Sequence, residues 1–131
     1  MRTVIFACVH NAGRSQMAAA FFNQAAPEGW KGVSAGTQPA EKVHPVVAEV
    51  MKEAGIDLSA ATPQKLTENL AATASLLITM GCGDNCPYVR GLKMDDWKLE
   101  DPKGQPIERV RELRDDIRRR ITELKESLPQ G

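Results

Sequence analysis

Residues 2–15 read R-T-V-I-F-A-C-V-H-N-A-G-R-S, and this stretch decides the fold. The apolar, β-branched and aromatic run at residues 2–7 is typical of a buried strand. An Asn and a Gly mark residues 8–14 as a loop. From Ser15 onward, apolar side chains recur at three- and four-residue spacing, which predicts a helix that ends before Pro27. The stretch is therefore predicted to be a strand, a loop and a helix in succession.

The rest of the chain repeats this alternation. Further strands are predicted at residues 31–37, 75–80 and 92–97, and further helices are predicted to begin at Pro45, Pro63 and Pro106, the last running to Ser127. Strands that alternate with helices pair in parallel through right-handed crossovers. We therefore expect an α/β fold with a four-stranded parallel sheet and helices on both faces. We expect one domain at 1–131, since domains commonly span about 100–150 residues.

Composition excludes several classes of protein. Lys and Arg together number 17, as do Asp and Glu, so the formal net charge is zero, and a non-specific nucleic-acid binder would need a basic excess. No stretch approaches the ~20 apolar residues of a membrane span, and the N-terminus lacks the long apolar region of a signal peptide. We expect a cytoplasmic monomer whose three cysteines are free thiols, ligands or catalysts rather than a disulfide framework.

The first loop carries the chemistry, because Cys8 and Arg14 stand in a C-x5-R pattern followed by Ser15. Such a loop can curl around a small anion with its amide groups pointing inward, next to the positive end of a helix. Arg14 can offer two parallel donors to an oxyanion, and the same surroundings stabilise the thiolate of Cys8. The predicted oxyanion-binding residues are Val9, His10, Asn11, Ala12, Gly13, Arg14 and Ser15.

Four loop residues have more specific expected roles. Gly13 permits a backbone angle that a side chain would resist, and Asn11 ties the loop to neighbouring backbone. Ser15 donates a hydrogen bond toward the sulfur or caps the helix. His10 either tunes the reactivity of Cys8 or points outward. The alternative for the whole pattern is a small buried cysteine with a surface arginine. No Walker pattern is present, and we expect no cofactor.

Four segments carry a resemblance to a known family. They are C-V-H-N-A-G-R-S-Q-M-A-A-A, S-A-G-T-Q-P-A-E-K-V-H-P-V-V, T-M-G-C-G-D-N-C-P and D-D-W-K-L-E-D-P-K-G, in that order along nearly the whole chain. They resemble the arsenate reductases built on the low-molecular-weight protein tyrosine phosphatase fold. The resemblance implies a four-stranded parallel sheet, with Cys8 as nucleophile, Arg14 as the loop arginine and Asp101 as general acid.

Asp101 also has a chemical rationale of its own. When a thiolate displaces oxygen from an oxyanion, the leaving oxygen needs a proton, and a carboxylic acid opposite the nucleophile can give it. Pro102 would stiffen the loop that presents this acid. The alternative is an ordinary loop or capping aspartate, and Asp95, Asp96 and Glu100 are nearby competitors.

Cys82 and Cys86 follow the third predicted strand, in G-C-G-D-N-C-P. Reducing arsenate to arsenite takes two electrons, which is the number released when two thiols form a disulfide. One hypothesis is a relay in which Cys82 attacks Cys8, Cys86 then attacks Cys82, and thioredoxin reduces the final pair. The rival is an external thiol, mycothiol or glutathione, with a glutaredoxin-like partner. Ala19 stands where some thioredoxin-coupled relatives carry an acidic residue of a potassium site. The two cysteines can also be idle, and a zinc site with His10 or His44 lacks a fourth ligand.

Two further functions stay open. One is a tyrosine phosphatase, although residues 101–104, D-P-K-G, contain no aromatic residue and the single tyrosine is Tyr88. Weak activity on small phenyl phosphates is expected in any case, because the loop chemistry is shared. The other is an oxyanion-binding module without turnover.

Overall fold

The computed structural model describes residues 2–24, 26–80 and 91–128. Strands and helices alternate through most of this part of the chain. The elements are β1 (Arg2–Cys8), α1 (Arg14–Gln24), β2 (Trp30–Gly36), α2 (Pro45–Glu53), α3 (Glu68–Ala72), β3 (Leu76–Thr79), β4 (Lys93–Asp96) and α4 (Ile107–Ser127). Each predicted strand is present within a residue or two of its predicted bounds.

The four strands form one parallel sheet in the order β2-β1-β3-β4. At the carboxyl end of the sheet, Cys8 lies beside Gly36 of β2, and Ala7 lies beside Thr79 of β3. All loops that leave the strands therefore begin at one edge, which is where α/β sheets bind ligands. The predicted four-stranded parallel sheet is confirmed.

The two faces of the sheet are covered unequally. Val4 and Phe6 of β1 point into the larger core, which they share with α1, α2 and α4. Ile5 and Ala7 point the other way, into a smaller core. Because successive side chains of a strand alternate between faces, one apolar strand serves both cores. The smaller core also contains Leu66 and the α3 residue Ala71, so helices lie on both faces, as predicted.

The predicted start of the third helix is wrong. Residues 62–66 are not helical, and α3 begins only at Glu68, where the hydroxyl of Thr67 accepts from the N–H of Leu70 at 3.0 Å. The preceding segment lies along the end of β2 instead. The N–H of Gly36 donates to the carbonyl of Gln64 at 2.9 Å. Since β2 is an outer strand, its free backbone groups need partners, and this segment supplies them.

The last helix buries the apolar face that its periodicity predicts. Val110, Ile117 and Ile121 of α4 are buried in the larger core. On the flank toward α2, Arg111 and Arg114 both pair with Glu53, at 2.8 and 2.9 Å. Within the described ranges, we find no helix that combines the length and the apolar character needed to span a membrane.

Candidate active site

Cys8 is the last residue of β1 and is 2% exposed. The carbonyl groups of Cys8 and of three residues in the loop that follows each accept a hydrogen bond from the segment after β2. The bonded pairs are Cys8 O with Thr37 N (3.2 Å), Val9 O with Gln38 N (2.8 Å), His10 O with Ala40 N (2.9 Å) and Ala12 O with His44 N (2.9 Å). In a trans peptide the N–H points opposite to the C=O. The N–H groups of the same peptide units therefore face away from that segment, as an anion-binding nest requires.

Three buried side chains inside the loop are hydrogen-bonded to one another. Ser15 Oγ lies 2.9 Å from Cys8 Sγ, and Asn11 Nδ2 donates to Ser15 Oγ at 2.7 Å. Asn11 Oδ1 in turn accepts from the backbone N–H of Gln64 at 2.8 Å. Because Ser15 Oγ already accepts from Asn11, its own proton is available to the sulfur. A hydroxyl proton on a thiolate stabilises the nucleophilic form.

The expected reason for Gly13 is wrong. The left-handed residue of the loop is Asn11, at φ 51°, and among the described residues Gly13 is not one of those with positive φ. Gly13 is needed for space: a Cβ there would lie 2.6 Å from Cγ of Pro102. The glycine therefore lets the loop after Cys8 pack directly against the segment that carries Asp101.

Arg14 is the first residue of α1 and is 6% exposed. Its Nη1 donates to the carbonyl of Leu99 at 3.2 Å, and its Nη2 lies 3.9 Å from Oδ2 of Asp101. Its Nε is buried and has no hydrogen-bond partner among the described residues. An unpaired buried donor is costly and needs an explanation. An oxyanion bound beside Cys8 would give this donor its acceptor.

Asp101 lies beside Arg14 at the mouth of the same pocket, with its side chain 45% exposed. Its Oδ1 accepts from the N–H of Lys103 at 3.0 Å. The competing acids are engaged elsewhere. Glu100 pairs with Arg109 at 2.7 Å, and Asp96 accepts from the hydroxyl of Thr79 at 2.7 Å.

A small cavity of about 10 Å³ joins these groups. It is lined by Cys8, His10, Ala12, Gly13, Arg14, His44, Asp101 and Pro102. A wider groove of about 410 Å³ lies between residues 98–100 and α4, but its lining includes no nucleophile. We therefore take the small cavity as the candidate active site.

His44 is a pocket residue that the sequence reasoning did not assign to this site. Burial lowers the pKa of His44, Asp101 opposes that shift, and His10, Lys103 and Arg14 add to it. His10 lies nearby, with Nδ1 3.2 Å from the carbonyl of Gln38. A usable signal was present, since His44 follows the second strand of a parallel sheet, whose carboxyl end shares an edge with Cys8.

Cys82 and Cys86 lie outside the described residues. The last described residue before them is Met80, whose N–H donates to the carbonyl of Ala7, the neighbour of Cys8, at 2.7 Å. Within ranges 2–24, 26–80 and 91–128, no group of three His, Cys, Asp or Glu side chains could hold a metal ion.

Fold and site together define a class: an α/β protein with a buried thiol at the carboxyl end of a central strand, followed by a loop whose geometry suits an anion. The chain matches the low molecular weight phosphotyrosine protein phosphatase family over residues 3–131. It belongs to that family.

This chain is similar in sequence to known proteins and similar in fold to solved structures. A Halobacterium salinarum protein, provisionally named arsenate reductase, is 40% identical over 124 residues, covering 91% of this chain and 87% of the relative. A solved Corynebacterium glutamicum thioredoxin-dependent arsenate reductase is 40% identical with a TM-score of 0.84. The match covers 97% of this chain, which spans 61% of the length of that one. A structure described as an arsenate reductase in the phosphate binding state is 34% identical with a TM-score of 0.87, covering 98% and 100% of the two chains.

Proposed function

We propose that this protein reduces arsenate to arsenite. One observation carries the proposal: a thiol, a guanidinium with an unpaired donor and a carboxyl group line one small pocket at Cys8, Arg14 and Asp101. Two similar proteins of known structure are described as arsenate reductases, which supports the same chemistry here. Residues 1–131 would act as one catalytic domain, in a cytoplasm that keeps thiols reduced.

The first step is attack of the Cys8 thiolate on arsenic. Arg14 and the loop N–H groups hold the remaining oxygens, while Ser15 stabilises the thiolate until it reacts. Asp101 gives its proton to the leaving oxygen, which departs as water. A sulfur–arsenic bond has then formed, and arsenic is still pentavalent.

The second step transfers two electrons. The thiolate of Cys82 attacks Sγ of Cys8, the sulfur–arsenic bond breaks, and its electron pair stays on arsenic, which leaves as arsenite. Cys86 then attacks Cys82, which frees Cys8 and yields a Cys82–Cys86 disulfide. Thioredoxin reduces that disulfide, as the C. glutamicum relative's description as thioredoxin-dependent suggests.

An external thiol is the rival for the second step. Mycothiol or glutathione would displace an oxygen from arsenic as water and form a thiol–arsenic adduct. A thiol of a glutaredoxin-like protein would then attack the sulfur of that adduct, so that the sulfur–arsenic bond breaks, its electron pair stays on arsenic and a mixed disulfide forms. A further thiol would reduce the mixed disulfide. The electron count is the same, because two thiols still become one disulfide. Under this rival Cys82 and Cys86 need not relay anything.

The deciding experiment measures arsenate turnover with each reducing system in turn. Thioredoxin with thioredoxin reductase is compared with mycothiol or glutathione plus a glutaredoxin-like protein. We expect multiple turnovers with thioredoxin, and Cys86→Ser should stop after one. Full multiple turnover of Cys86→Ser would exclude the relay, and no turnover with any system would exclude arsenate reduction.

A phosphatase is the second candidate, because the family is named for phosphotyrosine and the loop chemistry is shared. The described lining of the pocket contains two imidazoles but no Phe, Tyr or Trp that could hold a phenyl ring. We therefore expect only weak hydrolysis of small phenyl phosphates. A phosphatase efficiency above the arsenate rate would reverse this ranking. A binding module without turnover would leave Cys8 unreactive toward iodoacetamide at pH 6.

A further inference from the structure

We propose that Gln16 is a positioning residue, which holds Asn11 so that the hydrogen bonds of the loop run toward Cys8. The inference rests on the proposed function in one respect, namely that Cys8 is the nucleophile. Gln16 lies in the first turn of α1 and is 6% exposed. It does not line the pocket, so it would act on the reaction only through its neighbours.

The amide nitrogen of Gln16 faces three acceptors at once. Nε2 lies 3.0 Å from Asn11 O, 3.3 Å from Asn11 Oδ1 and 3.4 Å from Thr62 O. Two N–H protons are thus shared among three oxygens, and only a donor suits this position. Asn11 itself is fully buried and has φ 51°, a conformation that is uncommon outside glycine. Gln16 therefore bonds both the backbone and the side chain of the most constrained residue in the loop.

The orientation of the Asn11 side-chain amide decides whether the hydroxyl of Ser15 can donate its proton to Sγ of Cys8. The backbone N–H of Gln64 and Nε2 of Gln16 both donate to Asn11 Oδ1, so Nδ2 is the atom left to face Ser15. If the amide were reversed, its oxygen would accept the proton of Ser15, and the sulfur would lose that donor. Gln16 and the segment at 62–64 thus set the direction of the bond between Ser15 and Cys8 from outside the pocket.

If Gln16 lost its amide N–H groups, the carbonyl oxygens of Asn11 and Thr62 would each lose a hydrogen-bond donor. Buried acceptors without a donor are costly, so the loop would relax away from its present geometry. The first effect would fall on the Asn11 amide, and the second on the hydroxyl of Ser15. We therefore expect a less stabilised Cys8 thiolate in a protein whose core is unchanged.

The test follows alkylation of Cys8 by iodoacetamide as a function of pH. Cys82→Ser and Cys86→Ser are combined as the background, so that Cys8 is the one thiol. Into it we place Gln16→Met, which keeps the length of the side chain and removes the donor. The pH midpoint of alkylation should rise by about one unit, the scale of one hydrogen bond to an ionised group.

A matched control is available within the same network. The side chain of Gln64 donates from Nε2 to the carbonyl of Ser34 at 2.9 Å, whereas its contact with Asn11 is made by its backbone. Gln64→Met makes the same chemical change and should leave the midpoint in place. A purely structural role for Gln16 would lower the melting temperature without moving the midpoint.

Two results would overturn the inference. One is an unchanged midpoint in a folded Gln16→Met protein. If that variant does not fold, Gln16→Lys restores a donor at the same position, and a raised midpoint there would contradict the inference as well. Alkylation needs no arsenate, so this result stands apart from the turnover assay: absence of turnover would count against the proposed function alone.

Discussion

The pocket has two walls that are built in opposite ways. Residues 8–15, which carry the proposed nucleophile and are called the nucleophile wall, form one continuous segment in which Cys8, Asn11 and Ser15 are almost fully buried. Residues 98–102, which carry the proposed acid and are called the acid wall, present a side chain of Asp101 that is 45% exposed. Groups that hold a developing charge work best when fixed in advance. An acid that must regain its proton each cycle benefits instead from access to water.

The walls meet at few points. Arg14 donates to the carbonyl of Leu99, and Gly13 packs against Pro102. The cavity between the walls is about 10 Å³, roughly the space that one water molecule needs. We therefore expect one wall to shift when an oxyanion binds there. We expect the acid wall to shift, because the carbonyls of the nucleophile wall are held by four backbone hydrogen bonds.

The largest expected effect comes from Cys8→Ser. Arsenate reduction should fall by at least about 10⁴-fold, the scale expected for loss of a nucleophile. Phosphate should still raise the melting temperature of the variant, because the anion is held by backbone N–H groups and Arg14. Turnover and thermal shift measured on one preparation check both statements. Loss of phosphate binding would mean that the nucleophile wall depends on the thiol for its shape.

Asp101→Asn tests the opposite wall. The amide keeps the shape and removes the transferable proton, so kcat should fall by about 10²- to 10⁴-fold, the usual range for a general acid. Alkylation of Cys8 by iodoacetamide needs no proton donor and should stay within about twofold of its original rate, since Asp101 is partly exposed and screened. A pre-steady-state assay of the first turnover is the appropriate measurement. A normal first turnover would assign the acid to another group.

Gly13→Ala places a methyl group where the walls touch. A Cβ at this position would lie 2.6 Å from Cγ of Pro102, so one wall has to move. We expect the acid wall to move and kcat to fall by about tenfold, since small displacements of reacting groups are costly. The midpoint of Cys8 alkylation should not change.

The double variant of Gly13→Ala with Pro102→Ala makes the Gly13 result interpretable. Removing the ring of Pro102 removes the atoms that the new methyl group meets, so the double variant should regain part of the loss. Additive effects would show that the two residues do not act through their contact. A shift in the alkylation midpoint would show that the nucleophile wall had given way instead.

The sheet and the position of Cys8 were predictable because they rest on local patterns. Residues 4–7 alternate between two cores, and an outer strand or helix would not carry so continuous an apolar run. Once the strand and the following helix are identified, a residue at the end of the strand must lie at the ligand-binding edge of a parallel sheet. Cys8 needed no knowledge of distant contacts.

Features that depend on distant contacts were not predictable in the same way. Position 13 needs a glycine because of Pro102, which is 89 positions away in the chain. Residues 62–66 contain a proline that is typical of a helix start, yet an outer strand takes up their backbone groups. In both cases the local pattern permits several structures, and the partner decides among them.

The smallest expected effect is on the stability of the folded protein at acidic pH. It comes from His44, which lies between the two walls. Burial lowers the pKa of His44 from its ordinary value of 6.5, so the unfolded chain binds a proton more readily than the folded one. Stability therefore falls as pH drops below about 6.5, and His44→Gln should make that fall shallower. Thermal unfolding between pH 5 and pH 7.5 measures the difference. Asp101 opposes the shift, so Asp101→Asn should lower the pKa of His44 further and make the fall steeper. If Asp101→Asn leaves the decrease in stability at acidic pH unchanged, the two walls are not coupled electrostatically through His44.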